Sequence, residues 1–228
     1  MIRTIFLLFM YFAYFPAIGI AESYKHYKGI TIIPVKEMGL PDYESKKILA
    51  EIQEQKTKGY IEENNNEAQM MIANSKIDEQ ELKINPKNNN PLDTHLKKSL
   101  TEIKLAFTFN DINISEKNII GYAAMGTYVN NGWTGISEYF KDDIMGICSY
   151  DLLEMNLSKG SNLIASESVT YYIHSKPTII TVKGSSESGF IYNVSWCDDN
   201  YNHILECANM KFDKAITAHM LSFAEKID

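Results

Sequence analysis

GFIYNVSWCDDNYNHILECA, residues 189–208, decides the fold. Phe190, Tyr192, Val194 and Trp196 alternate with Ile191, Asn193 and Ser195, the two-residue period of a strand with one face on a core. The run CDDNYN then supplies turn residues, since Asp and Asn tolerate left-handed backbone and bond to nearby amides. Leu205 and Cys207 resume alternation on a returning strand. A hairpin is therefore expected, and the rest of the later chain reads the same way.

GWTGISEYF and IMGICSYDLLEM flank a turn at Lys141–Asp142–Asp143, and SVTYYIHS and TIITVKG are divided at Lys176–Pro177. Ile103, Leu105, Phe107 and Phe109 alternate after a helically spaced run of Leu92, Leu96 and Leu100, which places a helix-to-strand change near Thr101. About seven strands with short connections favour an antiparallel meander. KFDKAITAHMLSFAEK closes the chain, with Phe212, Ile216, Met220 and Phe223 at helical spacing, so this helix should cover the sheet. The expected class is α+β, a meander with a C-terminal helix, and a β-barrel or sandwich is the alternative.

The earlier part is thinner. No aromatic lies between Tyr60 and Phe107, whereas both tryptophans lie beyond it, so the main core is expected in residues 93–228. Residues 22–92 read as an N-terminal extended and helical arm with an Asn-rich connector. Within it, ITIIPV is an edge strand or extended lead, and PDYESKKILAEIQEQKTKG is a helix with Asp42 as cap, Gly59 as stop and a narrow stripe of Ile48, Leu49 and Ile52. Residues 62–92 hold NNN twice and a weak apolar pattern at Met70, Met71 and Ile72. They read as partly helical but mostly a mobile, solvated connector, with docking of that stripe on a partner as the alternative.

MIRTIFLLFMYFAYFPAIGIA, residues 1–21, has Arg3, an apolar run from Ile5 to Phe15, and Gly19 and Ala21 at −3 and −1. This is the pattern of a secretory signal peptide cleaved after Ala21, and the run is shorter than the roughly 20 apolar residues of a membrane span. A secreted or periplasmic protein is expected, with no integral membrane segment after cleavage. The net charge is −7, and the leader carries Arg3 without an acid, so its loss makes the chain more acidic. Clustered Lys and Arg for nucleic acid are lacking, and that partner class is not expected.

Export permits a disulfide between two of Cys148, Cys197 and Cys207. The expected bridge is Cys197–Cys207 across the hairpin, although simple alternation puts the two on opposite faces and a bulge would be needed. Cys148–Cys207 is the competitor, because Ile144, Cys148, Tyr150 and Leu152 share one alternating face.

The segment 196–207 also holds Asp198, Asp199, His203 and Glu206, but no zinc-ligand spacing and no EF-hand pattern. Neither a metal nor a cofactor is expected. No G-x-S-x-G, P-loop or H-E-x-x-H occurs, and no local motif supports a Cys–His pair drawn from His174, His203 or His219. No catalytic residue is assigned. N-x-[ST] triplets at Asn113, Asn156 and Asn193 matter only in a glycosylating host. The expected interaction surface is the aromatic, glycine-rich stretch carrying Tyr122, Tyr128 and Trp133, since such residues offer large contact area with little rotamer loss. These features predict an exported non-enzymatic protein that binds another protein, in a bacterium an accessory of an envelope or secretion assembly. A secreted hydrolase with a dispersed site and a carrier of a small apolar ligand are the alternatives.

Overall fold

The computed structural model describes residues 25–27, 30–84, 92–110, 112 and 118–227. The leader, residues 1–21, and Asn113 lie outside the described residues. The fold is mostly β with some helix, built on one large mixed sheet. In chain order the elements are β1 (Lys25–Tyr27), β2 (Ile30–Ile33), α1 (Asp42–Lys58), β3 (Ile61–Glu62), α2 (Glu67–Ile84), β4 (Ile119–Val129), β5 (Gly132–Asp142) and β6 (Gly146–Glu154). There follow α3 (Met155–Ser158), β7 (Asn162–Ala165), β8 (Val169–Ile173), β9 (Lys176–Ser185), β10 (Gly189–Cys197), β11 (Tyr201–Asn209) and α4 (Lys214–Ala224).

The eight-stranded sheet runs β3-β9-β10-β11-β6-β5-β4, with β8 also paired to β9. It has free ends at β3 and β4 and is not a closed barrel. Two antiparallel runs, β4–β5–β6 and β8–β9–β10–β11, are joined where β11 returns against β6. Pairing of β3 with β9 is parallel, which makes the sheet mixed. A separate small sheet joins β1, β2 and β7.

Local chemistry sets the turns. Asn130 and Asn131 both have positive φ, 49° and 69°, which is the requirement of the tight hairpin turn that suits strand twist. His174 and Ser175 do the same between β8 and β9, at 46° and 65°. That turn therefore precedes Lys176–Pro177 rather than falling on it. Pro177 sits inside β9 near its start, where the absent N–H costs least. The Asp142 carboxylate accepts from the amides of Ile144 and Met145, both at 2.8 Å, and closes the β5–β6 turn.

One sheet face carries the main core. Phe190, Tyr192, Val194 and Trp196 are buried, with Leu205 and Cys207 on β11, Tyr150 on β6 and Phe140 on β5. Helix α4 covers it with Ile216, Met220 and Ala224, and Phe223 stacks on Phe140 at 5.5 Å. The segment expected as a strand at 103–109 is not one. Ile103, Leu105, Phe107 and Phe109 pack on the core, but only Leu105 makes a ladder bridge, to Trp133. Alternation there reports burial of an extended strap and not sheet pairing. Residues 92–100 likewise lack the expected helix; only a short 3-10 turn forms, at Leu100–Glu102.

The opposite face is crossed by α2, which contacts β10, β11, β6 and β4. The connector expected to be only partly helical thus holds an 18-residue helix. It docks through small residues, Ala68 and Ser75, whose burial leaves little hydrophobic signal in the sequence.

The expected Cys197–Cys207 bridge is replaced by Cys148–Cys207. Register gives the reason. Cys148 and Cys207 are direct partners across β6 and β11, whereas Cys197 lies opposite Asn202 and Cys207 opposite Tyr192. Cys197 is a buried free thiol on the other face, where its Sγ accepts from Asn162 Nδ2 at 3.2 Å and donates to Asn202 Oδ1 at 3.0 Å.

Non-reducing peptide mapping should join the peptides of Cys148 and Cys207, and Cys197 should alkylate only in denaturant. Because the bridge spans 59 residues of sequence, replacing both partners by alanine should lower the unfolding free energy in urea by about 4 kcal/mol on the chain-entropy relation.

Candidate functional site

The residues of the 196–207 segment separate when the hairpin folds. Asp198 Oδ1 accepts from the amides of Asn200 and Tyr201, at 2.7 and 2.6 Å, and its Oδ2 lies 3.1 Å from His203 Nε2. The other ring nitrogen of His203 meets the Tyr150 hydroxyl at 2.7 Å, and the ring stacks on Trp196 at 4.7 Å. Burial alone would raise the Asp198 carboxyl, but the bonds from His203 and the two amides hold it below its ordinary value. Burial, followed by the charges of Asp198 and Glu138, drives the Tyr150 phenol well above its usual range.

This Asp198–His203–Tyr150 chain closes the turn onto the core, with His203 and Tyr150 both buried. Cys197 and Glu206 point to the opposite face, and Asp199 pairs with Lys176 at 2.9 Å. Among the described residues no group of three or more His, Cys, Asp or Glu side chains could hold a metal ion. Burial pushes the Cys197 thiol up to about 11, which opposes the thiolate a nucleophile needs. His174 instead bonds the Glu225 carbonyl at 3.0 Å, and His219 lies 3.6 Å from Asp142.

The aromatic surface expected from Tyr122, Tyr128 and Trp133 is divided as well. Tyr122 is buried in the main core at 5% exposure. Tyr128 and Trp133 remain together near the β4–β5 hairpin tip, edge to face at 5.5 Å and half-buried. The strap closes over this end, because the Trp133 carbonyl accepts from Ala106 and its amide donates to Lys104.

A concavity lies at the other end of the sheet. The outer edge of β9 is paired to β8 as far as Ile179 and to β3 from Lys183, leaving a gap between them. Gln55, projecting from α1, fills the gap. Its Nε2 donates to the Ile180 carbonyl at 2.5 Å, and its Oε1 accepts from the Val182 amide at 3.0 Å. One side-chain amide thereby makes the two bonds a neighbouring parallel strand would make around Thr181. The edge is closed without a strand, so α1 and α4 stand apart as the walls of a trench of about 640 Å³. Its walls are chiefly apolar, with Ile48 and Ile52 of α1 facing Ala218 and Leu221 of α4 across Ile180 and Val182. Nowhere along α1 is a residue fully buried, although the helix has 17 residues. Only the narrow Ile48–Ile52 stripe hinted at this site. Leu49, the third member of the expected stripe, is exposed at 41%.

A second polar feature lies beneath α2. Glu206 and Asp151 are diagonal neighbours on β11 and β6, and Glu67 of α2 is close enough to act on Glu206. Burial pushes Asp151 up to about 6, against the Ser137 hydrogen bond. It also pushes Glu206 up to about 7, helped by the charges of Asp151 and Glu67. Buried acids that repel one another weaken the fold when charged.

No family model, no curated protein and no solved structure matches this chain.

Replacing Gln55 by alanine should strip the Ile180 carbonyl and Val182 amide of their partner. Expected outcomes are faster hydrogen exchange at Val182 and a loss in urea unfolding of about 1–3 kcal/mol. The buried acids give a pH prediction. Their folded pKa values lie above the ordinary carboxylate value of about 4, so the folded state retains protons that the unfolded state has released. Stability should therefore be highest near the acid end of this window and fall as pH rises toward 7. Glu206→Gln should stabilise on the order of 2 kcal/mol at pH 8 and show little effect at pH 4, measured by urea unfolding at the two pH values.

Proposed function

We propose that the chain is exported through a leader cleaved after Ala21 and acts outside the cytoplasm as a non-enzymatic binding protein. In a bacterium it would serve an envelope or secretion assembly. The α1–β9–α4 trench is the observation that carries the reading: an open, chiefly apolar concavity whose floor is already satisfied by Gln55. Support for the compartment comes from the Cys148–Cys207 pair and from the lack, among the described residues, of any helix long and apolar enough to cross a membrane.

The partner class is another protein engaged through this end of the sheet, with the Tyr128–Trp133 pair as a smaller second contact. Carriage of a small apolar ligand is the second reading. What favours it is size, since about 640 Å³ falls within the range of roughly 300–1,000 Å³ common for small-molecule pockets.

Expression of the full chain in a bacterium with an intact export pathway should yield a protein outside the cytoplasm whose intact mass starts at Glu22. Ala21→Arg, which blocks the small-residue position, should retain the leader. Recovery of the unmodified chain from the cytoplasm, leader intact and all three cysteines alkylatable, would sink the proposal.

A further inference from the structure

Helix α2 is tied down at its start. The Glu63 amide just before it donates to the Gly184 carbonyl at 3.1 Å, and Gln69 Nε2 donates to the Glu187 carbonyl at 3.0 Å. The Ala68 methyl lies close over Gly189 at the beginning of β10. From Met70 to Lys76, by contrast, no described side chain bonds another element, and the buried Ser75 hydroxyl donates to the Ile72 carbonyl of its own helix.

What the helix crosses is polar. Glu206 on β11 stands opposite Ser149 and Asp151 on β6 opposite Ile204, so the two carboxyl groups are diagonal neighbours on strands that α2 touches. Asn193 on β10 donates to Glu206 at 3.4 Å. Ser137 on β5 bonds Asp151, whose Oδ1 is nonetheless buried with no partner.

Among the described residues, the surrounding charges do not neutralise this pair. Glu67 on α2 adds a third acid. Lys183, on the same face of β9, is held by Glu51 and Glu63 at 3.5 and 3.8 Å. Lys141 faces the same way on β5 but stands opposite Ile147, beyond Ser149, and Lys76 is exposed. From β4 the neighbour of Ser137 is Ala123, and β10 presents only Ile191, Asn193 and Ser195.

Seating α2 therefore takes two carboxyl groups out of water while a third acid approaches. Neutral carboxyls tolerate that, whereas ionised ones repel Glu67 and one another where burial has removed solvent. Burial raises Glu206 to about 7 and Asp151 to about 6, while exposed carboxyls ionise near about 4. Protons are thus held more tightly with the helix seated. The seated state is favoured fully below about pH 4 and loses that advantage as pH rises through about 6 and 7.

We propose that α2 is a pH-controlled cover on this face of the sheet, seated while Asp151 and Glu206 carry protons and swinging off about its anchored start, Glu63 to Gln69, when they ionise. Lifting bares Met71 and Ile72, which are half-buried in the seated helix, and the polar row of Asn193, Glu206 and Ser149.

Hydrogen exchange of the exported chain, disulfide intact, is followed by mass spectrometry at pH 5 and pH 8, each rate divided by its intrinsic value at that pH. Protection of the amides from Met70 to Lys76 should fall about a hundredfold between the two, while β10 and β11 keep theirs within about threefold. Asp151→Asn combined with Glu206→Gln should leave α2 equally protected at both pH values. Should that double variant not fold, Glu206→Gln alone carries the test and should cut the response to about tenfold or less. The inference falls if α2 keeps its protection at pH 8, if β10 and β11 lose protection in step with it, or if the neutralised variant responds to pH as the unmodified chain does. Loss in step would mean that the acids weaken the whole fold without moving any one part.

Discussion

Pairing of β6 with β11 is the constraint on which the remaining structure depends. It unites two runs of sequential hairpins into one sheet, and its register sets Tyr150 beside Leu205 and Cys148 beside Cys207. A slip of one residue would turn the hydrophobic set of one of the two runs away from the core face. The disulfide fixes that register covalently between strands far apart in sequence. It also excludes Cys197, which ends on the reverse face among Ile30 and Ile164. Covalent cross-link and hydrophobic alternation therefore point to one arrangement, the agreement between levels that specifies a fold.

Once that sheet exists, its edges need closure, because unpaired strand edges invite other chains. At the β9 edge closure is divided among β8, β3 and the Gln55 side chain. Using one amide where a strand would otherwise lie has a geometric consequence. Helix α1 is held at the edge by hydrogen bonds rather than by close packing, and the space between α1 and α4 is left open. The trench is thus a by-product of how the edge is satisfied.

The two faces handle polar groups differently. On the core face, Asp198, His203 and Tyr150 form a hydrogen-bonded chain, and aromatic stacking on Trp196 fills the surrounding volume. Under α2, Asp151 and Glu206 are diagonal neighbours on β6 and β11, and the Asp151 Oδ1 is buried without a hydrogen bond. Carboxyl groups in that position favour their protonated forms because burial penalises charge. Satisfied polar groups rigidify a fold, whereas such acids make its stability depend on pH.

Much of the sheet was legible because period-two alternation is a local signal. Phe190 to Trp196 face the core as their spacing indicates, and Ile216 and Met220 do so on α4. Alternation at Ile103 to Phe109 indicated burial correctly yet not strand pairing, since both a strap and a strand bury alternate residues. Docking of α2 left almost no pattern, because Ala68 and Ser75 pack through small size. Spacing alone also gave Gln55 no distinction from the other polar residues of its helix. What the sequence determined by itself is the burial pattern and turn chemistry, which depend on neighbours a few residues apart. Tertiary structure alone decided that Cys148 meets Cys207, that Tyr122 is buried away from Tyr128 and Trp133, and that a trench opens beside β9. Each of those depends on which distant strands become neighbours, and that choice is made by the register of the assembled sheet.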